Sequence, residues 1–92
     1  MQLRDRLRAE LSHEEQTFLA NLPDKIIDSG WVPEEMVPSD VWMSLQVKLT
    51  ARVHWSGSKQ YLVISGRAKQ FAMQASLRKL LNNPTLRLAA SI

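Results

Sequence analysis

Leu3, Leu7 and Leu11 recur at four-residue spacing, with Arg6 and Glu10 set as a helical charge pair, so the chain opens on a predicted amphipathic helix. Ser12 then offers an N-cap with Glu15 three residues on, a capping box that predicts a second helix turning Phe18, Leu19 and Leu22 inward. One helix bent at Ser12 is the alternative. Pro23 suits the first turn of a short third helix containing Ile26 and Ile27, and Gly30 is placed to end it in the left-handed conformation. Residues 31–38, with prolines at 33 and 38, are predicted to be an irregular connection. Ser39 is expected to cap one more short helical turn bearing Val41, Trp42 and Leu45.

From Leu45 the period changes to two. Leu45, Val47, Leu49, Ala51, Val53 and Trp55 alternate with Gln46, Lys48, Thr50, Arg52 and His54, which predicts a half-buried strand. Residues 61–65 form a second β-rich run, and Gly57-Ser58 between them suits a type II′ hairpin turn. With those two as the loop, Trp55 faces Gln60, Val53 faces Leu62 and Ala51 faces Ile64, giving one apolar face. The other face pairs His54 with Tyr61 and Arg52 with Val63, which is not fully polar and invites partial cover by another element.

Residues 67–82 are predicted to be the longest helix, stopped by Asn83 and Pro84. Projected at 100° per residue, Met73, Leu77, Leu80 and Leu81 form one apolar stripe, and Ala68, Phe71, Ala72 and Ala75 a second on roughly the opposite side. Two apolar faces require two partners: the sheet for one, the N-terminal helices or a second copy of the chain for the other. Leu86 and Leu88 alternate with Arg87, so residues 85–92 are a candidate third strand competing with a frayed tail. The expected architecture is α+β: N-terminal helices, a β-hairpin, a long C-terminal helix and a candidate terminal strand around one small antiparallel sheet, in a single domain spanning 1–92.

Charge sharpens this picture. All nine acidic residues precede Val41, so residues 1–43 carry a net −5 and form an acidic, mainly helical half. Residues 44–92, the hairpin and long helix, hold eight Lys or Arg and no acid, and the overall +3 hides that polarity. A one-signed half attracts polyanions or acidic protein surfaces. With no cysteine, disulfides, thiolate metal sites and cysteine nucleophiles are excluded. The first ten residues lack the apolar core of a signal peptide, and no apolar stretch approaches the roughly 20 residues of a membrane span, so a cytoplasmic protein without a membrane partner is expected.

No catalytic, metal or cofactor motif emerges. His13 and His54 lie 41 positions apart, no Ser, His and acid fall in a nucleophile context, and Gly57-Ser58-Lys59 lacks the first glycine of a phosphate-binding loop. A non-enzymatic protein with no cofactor is therefore expected. The candidate nucleic-acid or anion-binding residues are Lys48, Arg52 and His54 on the polar strand face, Lys59 in the loop, and Arg67 and Lys69 at a strand-to-helix junction. Phosphates need closely spaced cations, helix N-termini favour anions, and the flanking Trp55 and Tyr61 supply rings on which unpaired bases stack.

Three helices followed by a hairpin resemble the winged-helix arrangement, which would make residues 52–59 the wing. The segment in the recognition-helix position, residues 33–45, has acids at 34, 35 and 40 and no basic residue, a composition that phosphate repels. The leading expectation is a small regulatory or accessory protein binding nucleic acid non-specifically through its basic half. The alternative is a protein-interaction module (inhibitor, adaptor or homo-oligomer) using the hairpin edge with Trp55 and Tyr61, and the second stripe of the long helix with Phe71.

Overall fold

The structure, a computed structural model, describes residues 10–82. The expected first helix and the candidate strand at 85–92 therefore lie outside the described residues. Within them the chain forms helix α1 (His13–Ala20), α2 (Asp24–Ser29), strand β1 (Trp31–Pro33), a 3₁₀ turn (Glu34–Met36), α3 (Ser39–Val47), β2 (Ala51–Ser56), β3 (Lys59–Ile64) and α4 (Gly66–Leu81). The three strands make one antiparallel sheet in the order β1-β3-β2, so the fold is α+β. No described helix is long and apolar enough to cross a membrane.

Local chemistry accounts for the starts and stops. Glu15 N–H donates to Ser12 Oγ (3.2 Å) and Ser12 N–H to Glu15 Oε1 (2.6 Å), closing the capping box that opens α1. Helix α2 ends at Gly30, whose φ of +78° lets its N–H reach the Ile26 carbonyl at 2.8 Å. The hairpin pairs Trp55 with Gln60, Val53 with Leu62 and Ala51 with Ile64, as the alternation predicts. Gly57 has φ +64° while Ser58 does not turn positive, the combination that a II′ turn requires.

Two boundaries differ from the sequence expectation. Leu45 and Val47 belong to α3 rather than to the strand, because the helical pair Val41 and Leu45 enters the core while Val47 is left outside. Helix α3 begins after Pro38, with no side-chain cap from Ser39. It stops in a Schellman arrangement: Thr50 N–H donates to the Leu45 carbonyl and Leu49 N–H to that of Gln46, each at 3.0 Å. Leu49 occupies the left-handed position at φ +56°, where glycine is usual, with its side chain 71% exposed. The second difference is the third strand. It is Trp31–Pro33, within the expected irregular connection, pairing Trp31 with Val63, Val32 with Leu62 and Pro33 with Tyr61. Proline is tolerated there because β1 lies at the sheet edge.

The core lies between the inner face of the sheet and the helices. Val32, Ala51, Leu62 and Ile64 from the strands meet Leu19, Leu22, Ile27, Val41 and Leu45, closed by Ala68 and Ala72 of α4. The alanines let α4 approach closely, and Phe71 packs at the edge of this cluster. Of the two stripes on α4, the one containing Ala68, Phe71 and Ala72 is therefore the core-facing side. Met73, Leu77, Leu80 and Leu81 remain 46–61% exposed.

Two long-range polar joints tie the acidic and basic halves and the two ends of the hairpin. Glu15 is fully buried, and its carboxylate accepts from Lys48 Nζ at 2.5 Å, Ser44 Oγ at 2.6 Å and the Ser12 amide. Burial alone would raise its pKa, but these hydrogen bonds and the Lys48 charge outweigh burial and hold it below the ordinary value. Thr50, also buried, donates through Oγ1 to the Ser65 carbonyl and accepts the Ala68 N–H, both at 2.7 Å. A residue preceding the hairpin thus caps the helix that follows it.

Candidate nucleic-acid interface

Alternation along the strands puts Arg52, His54 and Ser56 of β2, Lys59, Tyr61 and Val63 of β3, and Trp31 and Pro33 of β1 on the side of the sheet away from the core. Arg52, His54 and Lys59 are exposed, and Tyr61 and Val63 are half-buried. Trp31 lies across the middle of this face, edge-on to His54 at 4.7 Å between ring centroids and to Tyr61 at 5.4 Å. The result is a contiguous cluster of three rings with two cations on the β2–β3 side and no carboxylate on any of the three strands. Glu34 and Glu35 follow Pro33 in the 3₁₀ turn, so the acidic border lies along the β1 edge.

The expected site residues separate into distinct groups. Arg52, His54, Lys59 and Tyr61 come together on the outer face. Lys48 does not join them: Nζ is held by Glu15 and by the Glu10 carbonyl at 3.0 Å, with only 17% of the side chain exposed. Its place at the end of α3, not on a strand, turns it inward. Lys69 also turns away, folding over the end of α2 so that Nζ would stand 3.6 Å from a β-carbon at Gly30. Arg67 is exposed in the first turn of α4, where the Ala68 amide is already taken by Thr50. At this junction Lys69 is therefore drawn toward Gly30, and one of the helix's first amides, that of Ala68, is capped by Thr50. Trp55 is 60% exposed at the hairpin end but alternates onto the core side of the sheet, the face opposite the ring cluster, and Phe71 lies against the core.

Trp31 and Glu15 are not among the expected nucleic-acid-binding or anion-binding residues. Trp31 becomes legible only when residues 31–33 are recognised as a strand paired with β3, since three residues show no period of their own. Glu15 carries a sequence signal for its capping role but none for the approach of Lys48, which is 33 residues away.

Helix α3 stands immediately before the hairpin, where the winged-helix resemblance puts base reading. It carries Asp40, Met43 and Val47 outward and no cation, so its surface lacks the groups that phosphate requires. Among the described residues no three His, Cys, Asp or Glu side chains gather as a metal cluster. Searches against models of known families, curated proteins and solved structures find no match to this chain.

Proposed function

We propose that the protein is a non-enzymatic accessory factor that binds single-stranded nucleic acid on the outer face of its sheet. The supporting observation is the juxtaposition of Trp31, His54 and Tyr61 with Arg52 and Lys59 on one acid-free face. Rings on an open sheet accept unpaired bases irrespective of sequence, whereas paired bases in a duplex are inaccessible to them. Arg52 and Lys59 take the phosphates along the β2–β3 side, and the Glu34–Glu35 border disfavours a backbone path along β1. Contacts of this kind give low base selectivity and strong salt dependence.

The test is titration of labelled single- and double-stranded DNA and RNA at about 50 and 200 mM salt, the span over which counterion release changes affinity visibly. Single strands are expected to bind more tightly than duplexes, and steeply less at the higher salt. Arg52→Glu combined with Lys59→Glu should flatten the logarithmic salt slope by about 1.4, the share of two phosphate contacts on a single strand. Tyr61→Ser should weaken single-strand binding roughly tenfold while leaving the slope unchanged. Absence of binding at the lower salt, or a double variant with wild-type affinity, overturns the proposal.

A further inference from the structure

Among the described residues, the exposed stripe of α4 is the largest run of apolar side chains that the core leaves unused. Met73, Leu77 and Leu80 line a groove of about 280 Å³ between α4 and α2, completed by Ile27, Asp24 and Asp28. The two flanks of the stripe differ in the charge they present beside the groove: Lys69 and Lys79 also stand on the α2 side, but Lys69 is folded over Gly30 and Lys79 is engaged by the Ala20 carbonyl. On the α2 side Asp24 is exposed and fixed in place by Ser76 Oγ, which donates to its carboxylate at 2.7 Å, with Asp28 one turn further along α2. On the other flank stand Gln70, Gln74 and Arg78, all exposed.

We propose that this stripe is the interface of a two-fold homodimer in which two α4 helices pack in parallel. Charge complementarity selects both the occupant and the direction. A surface with an acidic and a basic border on either side of one apolar strip matches a second copy of itself when the borders are exchanged. A two-fold axis running along the helices makes that exchange, placing Asp24 of one copy at the height of Arg78 of the other. An axis perpendicular to antiparallel helices keeps each border on its own side, so Asp24 and Asp28 would meet their own equivalents and repel. The parallel arrangement also stacks Met73, Leu77 and Leu80 on their own counterparts along the seam and removes them from water. The sheet face described above contributes nothing to this interface, so the dimer stands or falls independently of nucleic-acid binding.

Sedimentation equilibrium of the full chain is expected to show a dimer. Leu77→Glu, at a side chain outside the core, should weaken it at least about thirtyfold with an unchanged circular dichroism spectrum. Asp24→Arg and Arg78→Asp should each weaken it roughly two- to fivefold, and the pair together should restore it. Because the chain has no cysteine, direction can be read directly. Met73→Cys and Leu80→Cys, about 10 Å apart along the helix, should each form a disulfide-linked homodimer on oxidation in the parallel arrangement, whereas antiparallel packing permits at most one. A chain that stays monomeric up to about 1 mM, whether the stripe is covered by its own termini or by another protein in the cell, overturns the proposal, as does crosslinking at one position alone.

Discussion

Around Lys48 the protein has closed a polar joint: an ammonium, a buried carboxylate, a hydroxyl and a helix-capping amide meet at hydrogen-bonding distance with little access to water. Around Arg52, four residues later in the same acid-free stretch, the side chain stands in solvent on an open sheet face. Both residues looked alike as members of a basic half. Their difference shows that charge density along a sequence does not assign a cation to an external partner; the geometry of the element carrying it decides. Lys48 ends a helix that packs against α1 and meets Glu15, so it is used internally, while Arg52 alternates outward on a strand face that no described element covers.

The sharpest way to break this comparison is Lys48→Met. It leaves the Glu15 carboxylate buried without its counter-charge and should cost about 3–5 kcal/mol of stability, measured by urea denaturation, against a total of only about 5–15. Under conditions where the variant is folded, its nucleic-acid affinity should equal that of the wild type. A variant that keeps its stability and loses binding would reverse the roles assigned to Lys48 and Arg52.

Acid titration probes the same joint more gently. Glu15 has a folded-state pKa below its ordinary value of 4.5, so its contribution is fully present above that value and is lost as the pH falls through the lower folded one. The melting temperature should therefore fall on acidification below about 4.5, and Glu15→Gln should flatten that part of the curve while lowering stability at neutral pH. An unchanged acid limb in the variant would show that other carboxylates dominate.

A smaller effect is expected one residue beyond the joint. Leu49 pays for its left-handed backbone with little burial in return, so Leu49→Gly should stabilise the protein by about 1 kcal/mol, read from the denaturation midpoint. A loss of stability would mean that the exposed leucine makes contacts worth more than the strain. Smallest of all, Arg52→Glu should change stability by less than about 0.5 kcal/mol while altering the salt dependence of binding, the inverse of the pattern at Lys48.

Much of this molecule was written in local signals. The Ser12–Glu15 box, the terminating Gly30, the Gly57-Ser58 turn with its register and the long helix follow from short-range chemistry in which a few neighbouring residues set the backbone. The alternation through β2 and β3 also placed Arg52, His54 and Tyr61 on one face. It could not mark where that alternation began, because Val41 and Leu45 satisfy a helical period and Leu45, Val47 and Leu49 a strand period at once; burial of Val41 and Leu45 in the core chose the helix. Strand β1 was hidden because three residues carry no period and acquire a strand conformation only from the free edge of β3. That edge in turn brought Trp31 over His54 and Tyr61.

The sequence by itself determined the capping box of α1, the stop at Gly30, the hairpin with its register, the long helix and the polarity of charge, since each depends on residues close along the chain. Only the tertiary structure decided that Lys48 belongs to Glu15, that Thr50 caps a helix beyond the hairpin, and that alanines rather than leucines of α4 face the core. Those choices depend on which surfaces meet across separations of 18–33 residues, where close approach and the cost of burying an unpaired charge outweigh local preference.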